Sequence, residues 1–194
     1  MPCKICRDYP EISGWLLHND SRIVIIWPLG CLGNVICFVA VQMILSQILK
    51  PSCVKVPLEG KDKHSVIIEL VNLLDAGKLL LNKDVALQAV LSREQVRSTG
   101  IGSGIAIPHG KCNAVRELVI ALGIAAQPID FDSVDGKPVN IVILLLSPVD
   151  QTGPHIQALA RISRLMLDES FRNKLQKAAS ANEVCELFAS KENE

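Results

Sequence analysis

The sequence predicts an α/β sandwich, with helices on both sides of a small sheet. Two patterns point to it. Leu118–Ala125 and Val139–Leu146 are apolar runs rich in Val and Ile, which suit central strands covered on both faces. Around them lie segments whose apolar residues recur at three- and four-residue spacing, the mark of a helix with one buried face.

Taken in order, Lys55–Leu58 is a short extended stretch before Gly60. From Asp62 to Ala76, Ile67, Leu70, Val71 and Leu74 mark one helical face, and Gly77 suits its end. Asn82 can cap a second helix to about Gln95, with Val85, Ala86, Ala89 and Val90 inward. Arg93 falls in its last turn. Ile105–Ile107 is a short strand. Asp132–Pro138 is a turn cluster between the two long apolar runs. Pro154 suits the first turn of a helix to about Leu167, whose inward face reads as Ile156, Leu159, Ala160, Ser163 and Met166. Phe171 and Leu175 belong to a further helix, and Ser180–Glu183 is a capping-box pattern opening the last. No internal repeat or low-complexity tract interrupts the series.

Composition excludes several functions. Lys plus Arg and Asp plus Glu both number 20 in 194 residues, so net charge gives no case for nucleic acid or an anionic membrane. Aromatic residues are only 4%, too few for a base-stacking surface. Seven cysteines include one CxxC, Cys3–Cys6, with no second pair to complete a zinc site. Reduced, structural thiols are expected, in keeping with a cytoplasmic location. Ile23–Val41 carries no formal charge. As a helix it would span roughly 28 Å, close to a bilayer core, although Pro28, Gly30, Gly33 and Asn34 weaken a helix there.

The richest stretch is Ser98–Lys111. Gly100, Gly102 and Gly104 lead into an apolar run that ends in Pro108, and His109 follows between Pro108 and Gly110. Proline stiffens the approach. A histidine on such a turn can present one ring nitrogen in a fixed direction, which suits a nucleophile that accepts a group and passes it on. His18 and His64 lack any such context and read as surface residues. No carboxylate lies at ligand spacing from His109 or His155, and no HExxH occurs, so no metal site is expected.

Ser98–Lys111 resembles the active-site segment of the fructose/mannitol-type IIA proteins of the bacterial phosphoenolpyruvate sugar phosphotransferase system, a group that includes the nitrogen-regulatory IIA proteins. Arg93-Glu94 upstream and Gly153–Arg161 downstream match the same pattern. The resemblance runs from about Met43 to near the C-terminus, and Met43–Pro51 resembles the opening of a IIA domain. It divides the chain into an extension, residues 1–42, and a type 2 IIA domain, residues 43–194. The extension is then either a membrane anchor through 23–41 or upstream sequence ahead of a natural start at Met43.

The resemblance implies a mixed sheet of about five strands and no cofactor. It implies that His109 is phosphorylated, on Nε2, by the histidine phosphocarrier protein, and that a IIB partner receives the group. No IIB or IIC segment lies in this chain, so that partner is separate. A regulatory role, in which phosphorylation of His109 changes the bound partner, is the alternative. Phosphoryl transfer needs donors around the equatorial oxygens. Arg93 can supply two parallel N–H donors, Ser98 and Thr99 can supply hydroxyls, and the glycine-rich loop a nest of N–H groups. His155 is expected to neighbour His109 and to hold it or its phosphate.

Overall fold

The computed structural model describes Ile23–Ile26, Cys37–Ala40 and residues 43–194. The chain divides into two units, Met1–Ile44 and Leu45–Glu194. In the first, strands β1 (Ile23–Ile26) and β2 (Cys37–Ala40) pair antiparallel. At these eight residues the backbone is extended, whereas one of the two readings of the extension offers a helix over 23–41. The β-branched run Ile23-Val24-Ile25-Ile26 favours extended backbone, and Pro28 opposes a continuous helix. The rest of that run lies outside the described residues, as do the CxxC and His18. No helix among the described residues is long and apolar enough to cross a membrane.

The second unit is built on a mixed six-stranded sheet. β3 (Val54–Leu58) lies parallel to β7 (Val119–Ile129), which runs antiparallel to β8 (Val139–Ser147). On the other side of β8, β5 (Ile105–Ala106) and β6 (His109–Lys111) both run parallel to it, and β4 (Gly100–Gly102) pairs antiparallel with β5. The strand beyond the five expected arises at Pro108, which has no N–H to donate and splits one line of pairing into two. Its carbonyl still accepts from Leu145 N at 2.9 Å. Pairing therefore resumes, and His109 opens a strand instead of lying in the turn expected from the sequence.

Helices cover both faces. α1 (Leu45–Ile48) is one short turn. α2 (Lys63–Ala76) starts at a reciprocal cap in which Asp62 Oδ1 accepts from Ser65 N at 2.9 Å. α3 (Lys83–Val96) is capped by Asn82, whose Oδ1 accepts from Val85 N at 3.1 Å. α4 (Thr152–Leu165), α5 (Glu169–Lys177) and α6 (Ala181–Glu192) follow. Alternate side chains of a strand face opposite ways. Val119, Ala121, Val142, Leu144 and Leu146 join α2 and α3 in one buried cluster. Ile120, Leu122, Ile141, Ile143 and Leu145 are buried on the other face, where α4 and α5 meet β8 and α6 meets β3.

Two helix faces differ from expectation. In α3 the inward stripe is Ala86, Val90 and Glu94 at four-residue spacing, and Val85 is 47% exposed. In α4 it is His155, Ala158, Ile162 and Leu165, and Ile156 is 59% exposed. Ala86 and Val90 in α3 and Met166 at the end of α4 are buried as expected; what the expected faces leave out is the polar residue in each inward stripe, Glu94 and His155.

Candidate functional site

Three elements converge on His109: the C-terminal end of α3, strand β6 and the first turn of α4. Gly110 allows the first two to approach. A Cβ there would lie 3.0 Å from the carbonyl carbon of Ala89 in α3, so a larger residue would push helix and strand apart. Lys111 ties the third: its Nζ donates to Thr152 Oγ1 at 2.9 Å, at the start of α4.

Below α3 lies a polar anchor that the sequence reading missed. Glu94 is buried and accepts from Thr99 N at 3.1 Å and from Thr99 Oγ1 at 2.5 Å. Lys63 Nζ sits 3.3 Å from Glu94 and 2.6 Å from Asp132, joining α2, α3 and the segment after β7. Ser98 Oγ donates to Phe131 O at 2.5 Å and accepts from Gly100 N at 3.2 Å. Ser98 and Thr99 thus line the site with both hydroxyl protons directed into the protein. The glycine-rich segment is likewise not an open nest. Gly102 and Gly104 take positive φ, 92° and 79°, to turn β4 back into β5, and Ser103 N between them donates to Asp135 Oδ2 at 2.9 Å. Of these three glycines only Gly100 lines the pocket at His109.

His109 is half-buried, and its Nδ1 lies 2.8 Å from Ile107 O. A carbonyl only accepts, so the neutral ring carries its proton on Nδ1 and a lone pair on Nε2. Burial lowers its pKa below the usual histidine range, and the Arg93 charge adds to this against the raising effects of Ile107 O and Glu94. His155 is buried with its Nδ1 2.7 Å from Ser147 Oγ. Burial, with smaller contributions from His109 and Lys111, pushes its pKa down to about 4. The two ring centroids are 5.6 Å apart and the planes tilt by 57°. Both rings are therefore neutral at pH 7.

The pocket at His109 has a volume of about 300 Å³ and is lined by Arg93, Arg97, Ser98, Thr99, Gly100 and Leu159 among others. Arg93 Nη1 donates to Arg97 O at 2.9 Å, which closes the end of α3. The structure thus brings together all five residues singled out from sequence: Arg93, Ser98, Thr99 and His109 in the pocket wall, and His155 against the His109 ring. Arg97 joins them; its signal was the four-residue spacing from Arg93. Among the described residues, no cluster of His, Cys, Asp and Glu could hold a metal ion. A neutral imidazole with a free lone pair, beside two guanidinium groups, can attack an anionic electrophile and hold the anion it gains.

The family model for the phosphoenolpyruvate-dependent sugar phosphotransferase system, EIIA 2, matches residues 47–191. The fructose-specific EIIABC component of Bacillus subtilis is 34% identical over 146 residues, which is 75% of this chain and 23% of that protein. The chain thus spans less than a quarter of that relative. The crystal structure of nitrogen regulatory protein IIA-Ntr from Neisseria meningitidis superposes with a TM-score of 0.70 at 31% identity, covering 75% of this chain and 99% of that one. The mannitol IIA of Escherichia coli, solved in complex with phosphorylated IIB, shares the fold with a TM-score of 0.63 at 23% identity, over 73% of this chain and 97% of that one. The chain therefore belongs to the EIIA 2 family of the phosphoenolpyruvate-dependent sugar phosphotransferase system.

Proposed function

We propose that His109 is the phosphoryl carrier of this chain. Its Nε2 lone pair attacks the phosphorus of a phosphohistidine on the histidine phosphocarrier protein. A new N–P bond forms, and the old one breaks with its electron pair returning to the donor's imidazole. The group then passes by the same in-line chemistry to a IIB partner for sugar uptake. The observation that carries this reading is the 2.8 Å contact of His109 Nδ1 with Ile107 O. It holds the attacking nitrogen unprotonated, and the lowered pKa keeps it so at neutral pH. Arg93 neutralises the incoming charge and His155 donates to a phosphoryl oxygen. Ser98 and Thr99 act by shaping the pocket wall. The phosphotransfer domain runs from about Met43 and works in the cytoplasm, where its donor resides.

A second reading, control of a regulatory partner by the same phosphorylation, is favoured by the similarity to a nitrogen regulatory protein. Both readings require phosphate on His109. Incubation with phosphoenolpyruvate, enzyme I and the phosphocarrier protein tests that step. Addition of a IIB protein or of candidate regulatory targets then separates the two.

A further inference from the structure

Ser147 ends β8 and is fully buried. Its Oγ lies 2.7 Å from His155 Nδ1 and 3.4 Å from Pro148 O. A hydroxyl has one proton, so it donates in one of these directions. A separation of 2.7 Å suits an O–H donor, because N–H donors sit at about 2.9–3.0 Å. The contact with Pro148 O is long by the same standard. The strand also fixes where the hydroxyl stands: Ser147 pairs with Lys111, and Cys112 N donates to Ser147 O at 3.0 Å.

We propose that Ser147 is a positioning residue whose hydroxyl donates to His155 Nδ1 and so places the single imidazole proton of His155 on Nε2. The inference rests on the reading of His109 as phosphoryl carrier. With Nε2–H fixed, His155 offers a hydrogen-bond donor to the phosphoryl group on the ring beside it. With the proton on Nδ1 instead, it would turn a lone pair toward an anion. His109 needs no such partner, because Ile107 O sets its tautomer. The two rings are thus held as opposite tautomers, one suited to attack and the other to donate.

The test combines long-range ¹⁵N–¹H correlation of the imidazole rings in the full chain at neutral pH with single-turnover transfer from phosphorylated phosphocarrier protein. Wild type, Ser147→Ala and Ser147→Thr are compared. The expected result is His155 protonated on Nε2 in wild type and Ser147→Thr, a shift toward Nδ1–H in Ser147→Ala, and His109 unchanged throughout. Transfer should fall about 10-fold in Ser147→Ala, the scale of losing a group that orients a functional histidine, and recover in Ser147→Thr. A proton on Nδ1 of His155 in wild type overturns the inference. So does a tautomer that ignores Ser147→Ala, or a shifted tautomer with undiminished transfer. If even wild type takes up no phosphate, the carrier reading falls, and the tautomer measurement still decides whether Ser147 sets the proton on His155.

Discussion

His109 and His155 lie side by side but are held by different means. His109 sits on a strand and is fixed by a main-chain carbonyl, Ile107 O. His155 sits in the first turn of a helix and is fixed by a side chain, Ser147. A main-chain partner survives substitution of the residue that supplies it, whereas a side-chain partner does not. The proposed nucleophile therefore has the more robust support, and the ring proposed to assist it has a support that one mutation can remove.

The largest expected effect is at the proposed carrier, His109. His109→Ala should reduce phosphoryl uptake below detection while the amide spectrum of the domain persists. Undiminished uptake would break the contrast at its base. Next comes the charge beside it: Arg93→Ala should slow transfer by roughly 10- to 1000-fold, the range for one preorganised donor, measured by rapid quench. A wild-type rate would make Arg93 only the closure of α3.

The buried ring has a pH signature. Its folded pKa of about 4 lies below the ordinary 6.5, so the unfolded chain binds the proton more readily. Stability is then lost as pH falls from about 6.5 toward about 4. The size is on the order of 3 kcal/mol, or about 6–12 °C in Tm for a domain of this length. His155→Gln should remove that part of the acid sensitivity, and identical pH–Tm curves would refute it. Glu94→Ala should cost about 2–3 kcal/mol in urea unfolding, because Thr99 loses the acceptor for its N–H and its hydroxyl. The smallest effect is expected from removing residues 1–42. Leu45 N and Ser46 N are held by the Glu192 carboxylate at 2.9 and 2.8 Å, so the domain keeps its first anchored residues and its transfer rate.

The sequence made the frame of the domain legible because the frame rests on periodicity and caps. Asp62, Asn82 and Ser180 all accept hydrogen bonds at helix starts, and the apolar runs became β7 and β8. What stayed hidden depends on contacts distant in sequence. Glu94 meets Lys63 and Thr99, and Ser147 meets His155, only once the sheet is assembled. Spacing gave no strand order for the same reason. The glycine-rich loop misled in a different way. Glycine signals a special backbone, but whether that backbone meets a ligand or turns a hairpin depends on what packs against it, here Asp135. The residues of the site itself were readable because α3, β6 and α4 each deliver them at a chain punctuation: a helix end, a proline break and a helix start.

The central claim is that the ring held by the main chain is the one that carries phosphate. It is tested most directly by phosphorylating the full chain with phosphoenolpyruvate, enzyme I and the phosphocarrier protein, and mapping the product by ³¹P–¹⁵N correlation and mass spectrometry under neutral conditions. The account predicts one acid-labile phosphate, on Nε2 of His109, with His155 unmodified. Phosphate on His155, on Nδ1 of His109 or on any other residue would contradict it.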